Sequence, residues 1–182
     1  MLTKNIKFTN FRGNTNSSNK KKLAKILKNK NLVIEIPLLK SLSKDYQLSY
    51  SKKLVSSLKK FKKINLIGMG GSILGTQAIY DFLKDKITKK INFFDNLQSR
   101  EFKINKEKNI NIIVSKSGNT LETITNHNLI SLKEKKNKNL FITETKDSFL
   151  TQLANKLKAE IIEHKNFIGG RYSVLSEVGM LP

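Results

Sequence analysis

The sequence predicts an α/β fold, in which a doubly wound parallel sheet is flanked by helices and follows a helical N-terminal segment. The first observation behind this prediction is the hydrophobic pattern: from about residue 60 onward, apolar runs of strand length alternate with helical patterns. The second is the make-up of those runs, which are apolar at nearly every position. Strands of that kind are buried on both faces, and helices on both sides of a parallel sheet bury them in this way.

The N-terminal 59 residues carry weaker signals. Residues 1–18 are polar and irregular, and we expect an arm there. Apolar residues at helical spacing predict an amphipathic helix over residues 19–30 and a second helix over residues 45–62. Between them, residues 32–39 have the composition of a short strand, although Pro37 would confine such a strand to a sheet edge or end it.

Residues 60–182 contain the elements of the sheet. Each predicted strand is a short apolar run, and helical patterns follow three of these runs. We therefore divide the chain into an N-terminal arm with helices, residues 1–59, and an α/β domain, residues 60–182. The predicted strands cover residues 64–68, 91–94, 111–115, 139–143 and 159–162, and the predicted helices lie near residues 72–85, 120–135 and 148–157.

Composition sets outer limits on the function. The chain has 182 residues, enough for a domain with its own core, and it has no cysteine, which excludes disulfides and thiolate metal sites. Neither a secretory signal nor an apolar run long enough to cross a bilayer is visible. We therefore expect a soluble cytoplasmic protein that does not bind membranes, and we expect neither a metal nor a cofactor.

The formal net charge of +21 raises the question of nucleic-acid binding. Only Arg12, Arg100 and Arg171 are arginines, and the remaining basic residues are lysines spread along the whole chain. Arginine is the better bidentate reader of phosphates and guanine edges. A general residue bias explains this pattern better than a binding face does, so we expect no specific nucleic-acid partner. The charge should nevertheless attract anionic small molecules.

The turn after the first predicted strand is rich in glycine. It reads GMGGSILG, residues 68–75, and we call it the glycine turn. Three glycines within four residues let the backbone approach a ligand closely. Ser72 is placed either to cap the next helix or to donate its hydroxyl to an anion at the helix start. The spacing fits neither the dinucleotide-binding fingerprint nor the P-loop pattern.

A second unusual turn follows the third predicted strand. It reads SKSGNTLET, residues 115–123, and we call it the hydroxyl turn. Asn119 and Glu122 have the spacing of a capping box for the helix that follows, but the turn holds more hydroxyls than capping requires. Several hydroxyls, free backbone N–H groups and a helix N-terminus together make a phosphate cradle. The surplus hydroxyls belong to Ser115, Ser117 and Thr120, and Lys116 adds a positive charge.

The end of the sequence has the character of a ligand-binding loop. Residues 169–182 read GGRYSVLSEVGMLP, and we call them the tail motif. Together the three motifs resemble signatures of the phosphoglucose isomerase family, namely GIGGSxLG, SKTxTTxET and GGRFSxxSxVGLxP, and they come in the family's order. The resemblance covers about residues 60–182.

The resemblance implies a fold of two sugar-isomerase (SIS) domains of flavodoxin-like type, and an enzyme that interconverts glucose 6-phosphate and fructose 6-phosphate. It also implies a homodimer for the full-length form. Ser117 and Asn119 stand where the family has threonines, and Thr76 replaces a common proline. The residues that match the family's site are Gly71, Ser72, Ser115, Lys116, Ser117 and Thr120 around the phosphate, Gly170 near the ligand, and Arg171 beside the reacting carbons.

Aldose–ketose isomerisation moves a proton between two carbons through a cis-enediolate, so it needs a base and a cation beside the developing charge. Arg171 suits the second task, because its guanidinium is always charged. The family's catalytic glutamate, histidine and lysine lie downstream of the arginine motif, and this sequence ends before them. We therefore expect the first part of a longer isomerase, truncated before a second SIS domain, which on its own binds hexose phosphate without converting it.

The alternative is a stand-alone sugar-phosphate-binding module that senses its ligand. The arginine within a complete tail motif weighs against this alternative, since a phosphate binder would not need it. Glu177 falls at a variable position of the motif, and neither His127 nor His164 matches the family's catalytic histidine. We expect both histidines to be structural.

Overall fold

A five-stranded parallel sheet forms the core of the described part of residues 40–182. The computed structural model describes residues 17–29, 32–97, 109–133 and 137–182. Within these ranges the strands are β1 (Lys63–Ile67), β2 (Lys90–Phe94), β3 (Asn109–Val114), β4 (Lys138–Thr143) and β5 (Glu160–Glu163). Their spatial order is β2-β1-β3-β4-β5, and every adjacent pair is parallel.

The α-helices of the described ranges differ widely in length. The chain divides into two compact units, Met1–Leu39 and Lys40–Pro182. None of the helices in the described ranges is long and apolar enough to cross a membrane. The first unit contains α1 (Ser17–Leu27) and α2 (Leu32–Glu35), and the second contains α3 (Lys52–Leu58), α4 (Leu74–Phe82), α5 (Leu121–Lys133), α6 (Phe149–Lys156) and α7 (Glu177–Met180). Short 3₁₀ helices cover Pro37–Leu42, Gly70–Ser72, Lys84–Lys86 and Gly170–Leu175.

The predicted elements of the sheet region are confirmed, with strand bounds that differ by at most two residues. The two helices predicted in the N-terminal 59 residues are present as α1 and α3, and α3 is shorter than predicted. The strand predicted over residues 32–39 is wrong, because α2 ends at Glu35 and a 3₁₀ helix begins at Pro37. Proline suits the first turn of a helix, where its missing N–H costs nothing, and it cannot donate to a strand ladder. The arm predicted over residues 1–18 lies outside the described residues, apart from its last two positions.

Apolar side chains cover both faces of the sheet. On one face, the core joins β1, β3, β4 and β5 to Leu58 of α3 and Val178 of α7. On the other face, it joins β1, β3 and β4 to Ile130 of α5 and Leu150 of α6. β3 is central and buried at every position. Helices therefore flank the sheet on both sides, which confirms the doubly wound α/β prediction.

A row of asparagines crosses the sheet at one level, and we call it the asparagine ladder. Asn92, Asn65, Asn111 and Asn139 lie on β2, β1, β3 and β4 and are register partners of their neighbours. Their side-chain amides donate along the row, at 2.8 Å from Asn92 to Asn65, 2.9 Å from Asn65 to Asn111 and 3.0 Å from Asn111 to Asn139. A shift of one residue between two neighbouring strands would break the bond that joins them, so the ladder favours the observed register.

The strand order creates a switch point at one place in the sheet. β1 and β3 are neighbours, and the connection from β1 runs to β2 on one side whereas the connection from β3 runs to β4 on the other. In open parallel sheets, ligands bind beyond the carboxyl ends of the strands at such a switch point. The glycine turn follows β1 and the hydroxyl turn follows β3, so the topology brings the two turns side by side.

Candidate active site

Three hydroxyl groups meet in the hydroxyl turn, just before α5 begins. Ser115 Oγ lies 2.8 Å from Thr120 Oγ1, and each of these oxygens lies 3.5 Å from Ser117 Oγ. Ser115 is buried, Thr120 is half-buried and Ser117 is exposed, so the cluster opens to solvent on one side. Hydroxyls rotate freely and donate one hydrogen each, so all three can turn toward an anion placed over the cluster.

The hydroxyl turn is attached to the N-terminus of α6. Asn119 Oδ1 accepts the backbone N–H of Phe149 at 2.9 Å, and the Gly118 carbonyl accepts that of Leu150 at 3.0 Å. The capping box predicted for Asn119 is therefore wrong: this side chain caps α6, the neighbouring helix in space. Gly118 has φ +71°, and a Cβ there would overlap the hydroxyl of Ser148. Only glycine fits this conformation and this close approach.

The glycine turn and the tail motif touch backbone to backbone. A Cβ placed on Gly71 would overlap the carbonyl group of Gly170. The Ser173 hydroxyl is shared between the two loops, since its oxygen lies 3.0 Å from the Gly71 carbonyl oxygen and 2.7 Å from that of Gly170. The structure thus brings together two of the predicted site residues, one from each motif. A Cβ on Gly68 would lie 3.1 Å from the Val114 carbonyl oxygen, so the glycine turn also passes the end of β3.

Arg171 directly follows this contact, in the 3₁₀ helix Gly170–Leu175, and its side chain is exposed. The rest of the tail motif packs against α4. Thr76 of α4 donates its hydroxyl to the Val178 carbonyl at 2.8 Å. A Cβ on Gly75 would lie 2.9 Å from the Val174 side chain, so α4 and the tail motif pack closely. The guanidinium is thereby presented to solvent from a fixed backbone.

Glu177 supports the tail motif through a buried carboxylate. Its side chain has no exposed surface, and its Oε1 accepts the backbone N–H of Ser49 at 2.8 Å. The Tyr46 hydroxyl lies 3.5 Å from both carboxylate oxygens. Burial, and after it the charge of Glu177, raises the pKa of Tyr46 to about 12, so the phenol stays protonated and able to donate. Residues 46–49 therefore stabilise the position of the tail motif.

Two of the predicted phosphate-binding residues, Lys116 and Ser72, lie outside the hydroxyl cluster. Lys116 Nζ donates to the Asn166 carbonyl at 2.7 Å and lies 3.5 Å from Glu144 Oε1. Ser72 is half-buried and does not cap α4, because the N-cap position is Ile73 and no side chain bonds there. Its alternative role, a hydroxyl donor to an anion, stays a prediction. Within the described ranges, no three metal-ligating side chains come together.

Both histidines are buried. His127 packs against Phe141 and lies 3.1 Å from the Ser131 hydroxyl through Nε2, and His164 lies 3.1 Å from the Lys165 carbonyl through Nδ1. Each has about 2% of its surface exposed. Burial lowers the pKa of both imidazoles, and the nearby ammonium of Lys116 lowers that of His164 further.

These lowered pKa values predict that the fold loses stability in mild acid. Below pH 6.5, the pKa of the unfolded state, both histidines bind protons in the unfolded chain but remain neutral in the folded chain. The free energy of unfolding therefore falls as the pH falls. The limit is about 1.4 kcal/mol per pH unit for each histidine. Urea unfolding at pH 7.5 and 5.5 measures the difference, and it should shrink in His127→Phe. Equal stability at both pH values would contradict the prediction.

Several residues of this region escaped the sequence argument. Ser173 has a place in the tail motif, and that place was its only signal. Glu144 had none, because its partner Lys116 lies 28 positions earlier in the chain. Glu177 was set aside as variable, although its carboxylate is buried and bonded.

Comparison with known proteins identifies the family. The family model for phosphoglucose isomerase matches residues 17–182. The glucose-6-phosphate isomerase of Methanocaldococcus jannaschii is 37% identical over 136 residues, which cover 69% of this chain and 33% of that protein. The probable glucose-6-phosphate isomerase of Methanococcus maripaludis is 31% identical over 192 residues, covering 98% of this chain and 43% of that protein.

Solved structures agree on the fold. A hypothetical protein from Thermus thermophilus superposes with a TM-score of 0.67 at 22% identity, covering 90% of this chain and 41% of that one. Tagatose-6-phosphate ketose/aldose isomerase from Escherichia coli superposes with a TM-score of 0.54 at 18% identity, covering 78% and 40%. The chain spans about a third of the length of the first curated relatives. With the family model matched over nearly all of its length, the chain belongs to the phosphoglucose isomerase family.

Proposed function

We propose that this chain supplies the phosphate cradle and the catalytic arginine of a glucose-6-phosphate isomerase. The reaction is the interconversion of glucose 6-phosphate and fructose 6-phosphate through a cis-enediolate. The observation that carries the proposal is the cluster of hydroxyls from Ser115, Ser117 and Thr120, which lie within 3.5 Å of one another at the start of α5. Membership of the family supports it.

The phosphate fits the cluster for electrostatic reasons. In the proposal, each hydroxyl turns its hydrogen from a neighbouring hydroxyl to a phosphate oxygen, and the first N–H groups of α5 face the same anion. A hydrogen bond to a charged group contributes about 1.5–3 kcal/mol, and the helix terminus about 0.3–1 kcal/mol. The hydroxyls therefore provide most of the affinity, and the net charge of +21 raises the rate of encounter.

Arg171 takes the second role in the proposal. The sugar extends from the cradle across the contact between Gly71 and Gly170, and the guanidinium stabilises the enediolate oxygens as negative charge develops on them. Its side chain is exposed and its backbone lies in a 3₁₀ helix, so the guanidinium is accessible to a bound ligand.

The base that moves the proton is not assigned to this region. Glu144 pairs with Lys116 and Lys146, and Glu177 is buried against Ser49, so both carboxylates already have structural partners. The proposal places the base in the part of the matched relatives that this chain does not cover. A homodimeric full-length form and a cytoplasmic location belong to the same proposal, the latter because ionised sugar phosphates cross bilayers poorly.

Ligand titration by NMR tests the cradle. We expect saturable line broadening of fructose 6-phosphate by this chain, without turnover. Replacing Ser115 with Ala and Thr120 with Val in one variant should weaken binding at least about tenfold, since two charged hydrogen bonds are lost. Ser57→Ala is the control, because that hydroxyl donates to the Leu54 carbonyl of its own helix and lies outside the three motifs.

The outcomes separate the alternatives. Unchanged binding in the double variant would refute the cradle. Turnover that disappears in Arg171→Ala would show that a base lies within this chain. In a longer chain that includes the region covered by the relatives, binding without any turnover would favour a sensor.

A further inference from the structure

The ammonium group of Lys116 joins three loops at the carboxyl edge of the sheet. Lys116 follows β3, Glu144 follows β4 and Asn166 follows β5. Nζ donates to the Asn166 carbonyl at 2.7 Å and lies 3.5 Å from a Glu144 carboxylate oxygen. The backbone repeats the link between the first two loops, because the Glu144 N–H donates to the Lys116 carbonyl at 3.2 Å. Successive strands of the sheet are thus tied together beyond their ends.

The Lys116–Glu144 pair is better shielded than a typical surface pair. The Lys116 side chain is 31% exposed and that of Glu144 only 15%. Glu144 also pairs with Lys146 at 2.6 Å, and the Lys146 side chain is 53% exposed. Burial raises the pKa of Glu144, but the bonds and charges of Lys146 and Lys116 outweigh burial and leave that pKa below its usual value. The carboxylate therefore stays charged and keeps hold of Lys116.

The loop held by Lys116 leads directly to the proposed arginine. Asn166 lies five residues before Arg171 in the chain, and Gly170 between them touches Gly71. Ile168, with 1% of its surface exposed, anchors the loop on its inner side. On its outer side, the bond from Lys116 fixes the loop relative to the hydroxyl turn.

We propose that Lys116 and Glu144 are positioning residues, which hold the loop carrying Arg171 at a fixed distance from the phosphate cradle, and that the Lys116 ammonium is not a phosphate ligand. This inference rests on the proposed function and changes the role of Lys116 that the sequence predicted. A phosphate ligand and a positioning residue differ in one measurable way. A ligand acts on any phosphate, whereas a positioning residue acts on ligands long enough to reach Arg171.

A double-mutant cycle with two probes tests this difference. Inorganic phosphate and fructose 6-phosphate are titrated by NMR into the wild type, Lys116→Met, Glu144→Gln and the double variant. We expect each single variant to bind fructose 6-phosphate about tenfold more weakly and the double variant to be no weaker than either, because both changes break one link. Affinity for inorganic phosphate should stay within about twofold. Lys116→Arg should restore binding of the sugar phosphate.

Lys146→Met is the matched control. This substitution removes one of the two ammonium groups that pair with the Glu144 carboxylate, but it leaves the bond from Lys116 to Asn166 intact. We expect it to change neither titration by more than about twofold. If Lys116→Met weakens both probes equally while Glu144→Gln weakens neither, Lys116 is a phosphate ligand and the inference is wrong. Unchanged binding of fructose 6-phosphate in both single variants overturns it as well.

Amide hydrogen exchange without ligand separates this inference from the proposed function. The amides of residues 166–171 should exchange faster in Lys116→Met and Glu144→Gln, and at the wild-type rate in Lys146→Met. If the wild type binds neither probe, the proposed function fails for this chain, and the exchange rates still decide on the link. Identical exchange in all four proteins would show that the link holds nothing.

Discussion

Replacing Gly71 with alanine should abolish measurable binding of fructose 6-phosphate, with an affinity loss of at least about a hundredfold. A Cβ at this position would overlap the carbonyl group of Gly170, and both groups belong to the backbone. No side-chain rotation can relieve the overlap, so the glycine turn and the tail motif must move apart. Such a displacement at a site costs about two orders of magnitude in function, and the strain lowers the free energy of unfolding by about 1–3 kcal/mol.

A neighbouring glycine provides the control for this experiment. A Cβ on Gly169 would meet the Tyr172 ring at 3.4 Å, which is ordinary contact, and its φ of −68° suits any residue. Gly169→Ala should therefore bind and unfold like the wild type. The measurements are the NMR titration with fructose 6-phosphate and urea unfolding. Wild-type affinity in Gly71→Ala would mean that the two motifs do not form one site.

Replacing Asn111 with leucine should lower the free energy of unfolding by about 3 kcal/mol. Asn111 is buried at the centre of the asparagine ladder, where it accepts bonds from Asn65 and Asn137 and donates one to Asn139. Each lost bond costs about 1 kcal/mol net, and the Asn139 oxygen loses a donor. Urea unfolding of the variant measures the loss.

The ladder supplies its own comparison, because its members differ in burial. Asn92 is half-buried on the edge strand β2, and among the described residues its side chain bonds Asn65 alone. Asn92→Leu should cost about 1 kcal/mol. If Asn111→Leu is no more costly than Asn92→Leu, the ladder does not act through its hydrogen bonds, and shape alone decides the cost at both positions.

The strands could be predicted because burial on both faces leaves a direct trace in the sequence. A central parallel strand must be apolar at nearly every position, as β3 is after its asparagines. The ladder could not be predicted. Asparagine is frequent throughout this sequence, so a buried asparagine in a strand looks the same as one on the surface. Its role depends on the register with other strands, which no local pattern records.

In the candidate site, too, some features could be predicted from the sequence and others could not. The glycine and hydroxyl turns were recognisable because their residue types are tied to turn geometry, and both stand at the switch point. The partners of long side chains were not. Lys116 meets Glu144 and Asn166, which lie 28 and 50 positions away in the sequence. Asn119 bonds α6 instead of the helix that follows it, because α6 is the neighbour in space.

The buried carboxylate of Glu177 limits how far this α/β region can be treated as a portable module. The sequence pattern suggests a division at residue 60, yet the donors to Glu177 are the Ser49 amide and the Tyr46 hydroxyl. A chain trimmed to begin at residue 60 would leave a negative charge in the interior without either donor, which is strongly unfavourable. The tail motif would then lose the contacts that Glu177 makes with residues 46–49. In this protein the tail motif and the residues just before the sheet therefore form one structural unit, which a cut at residue 60 would divide.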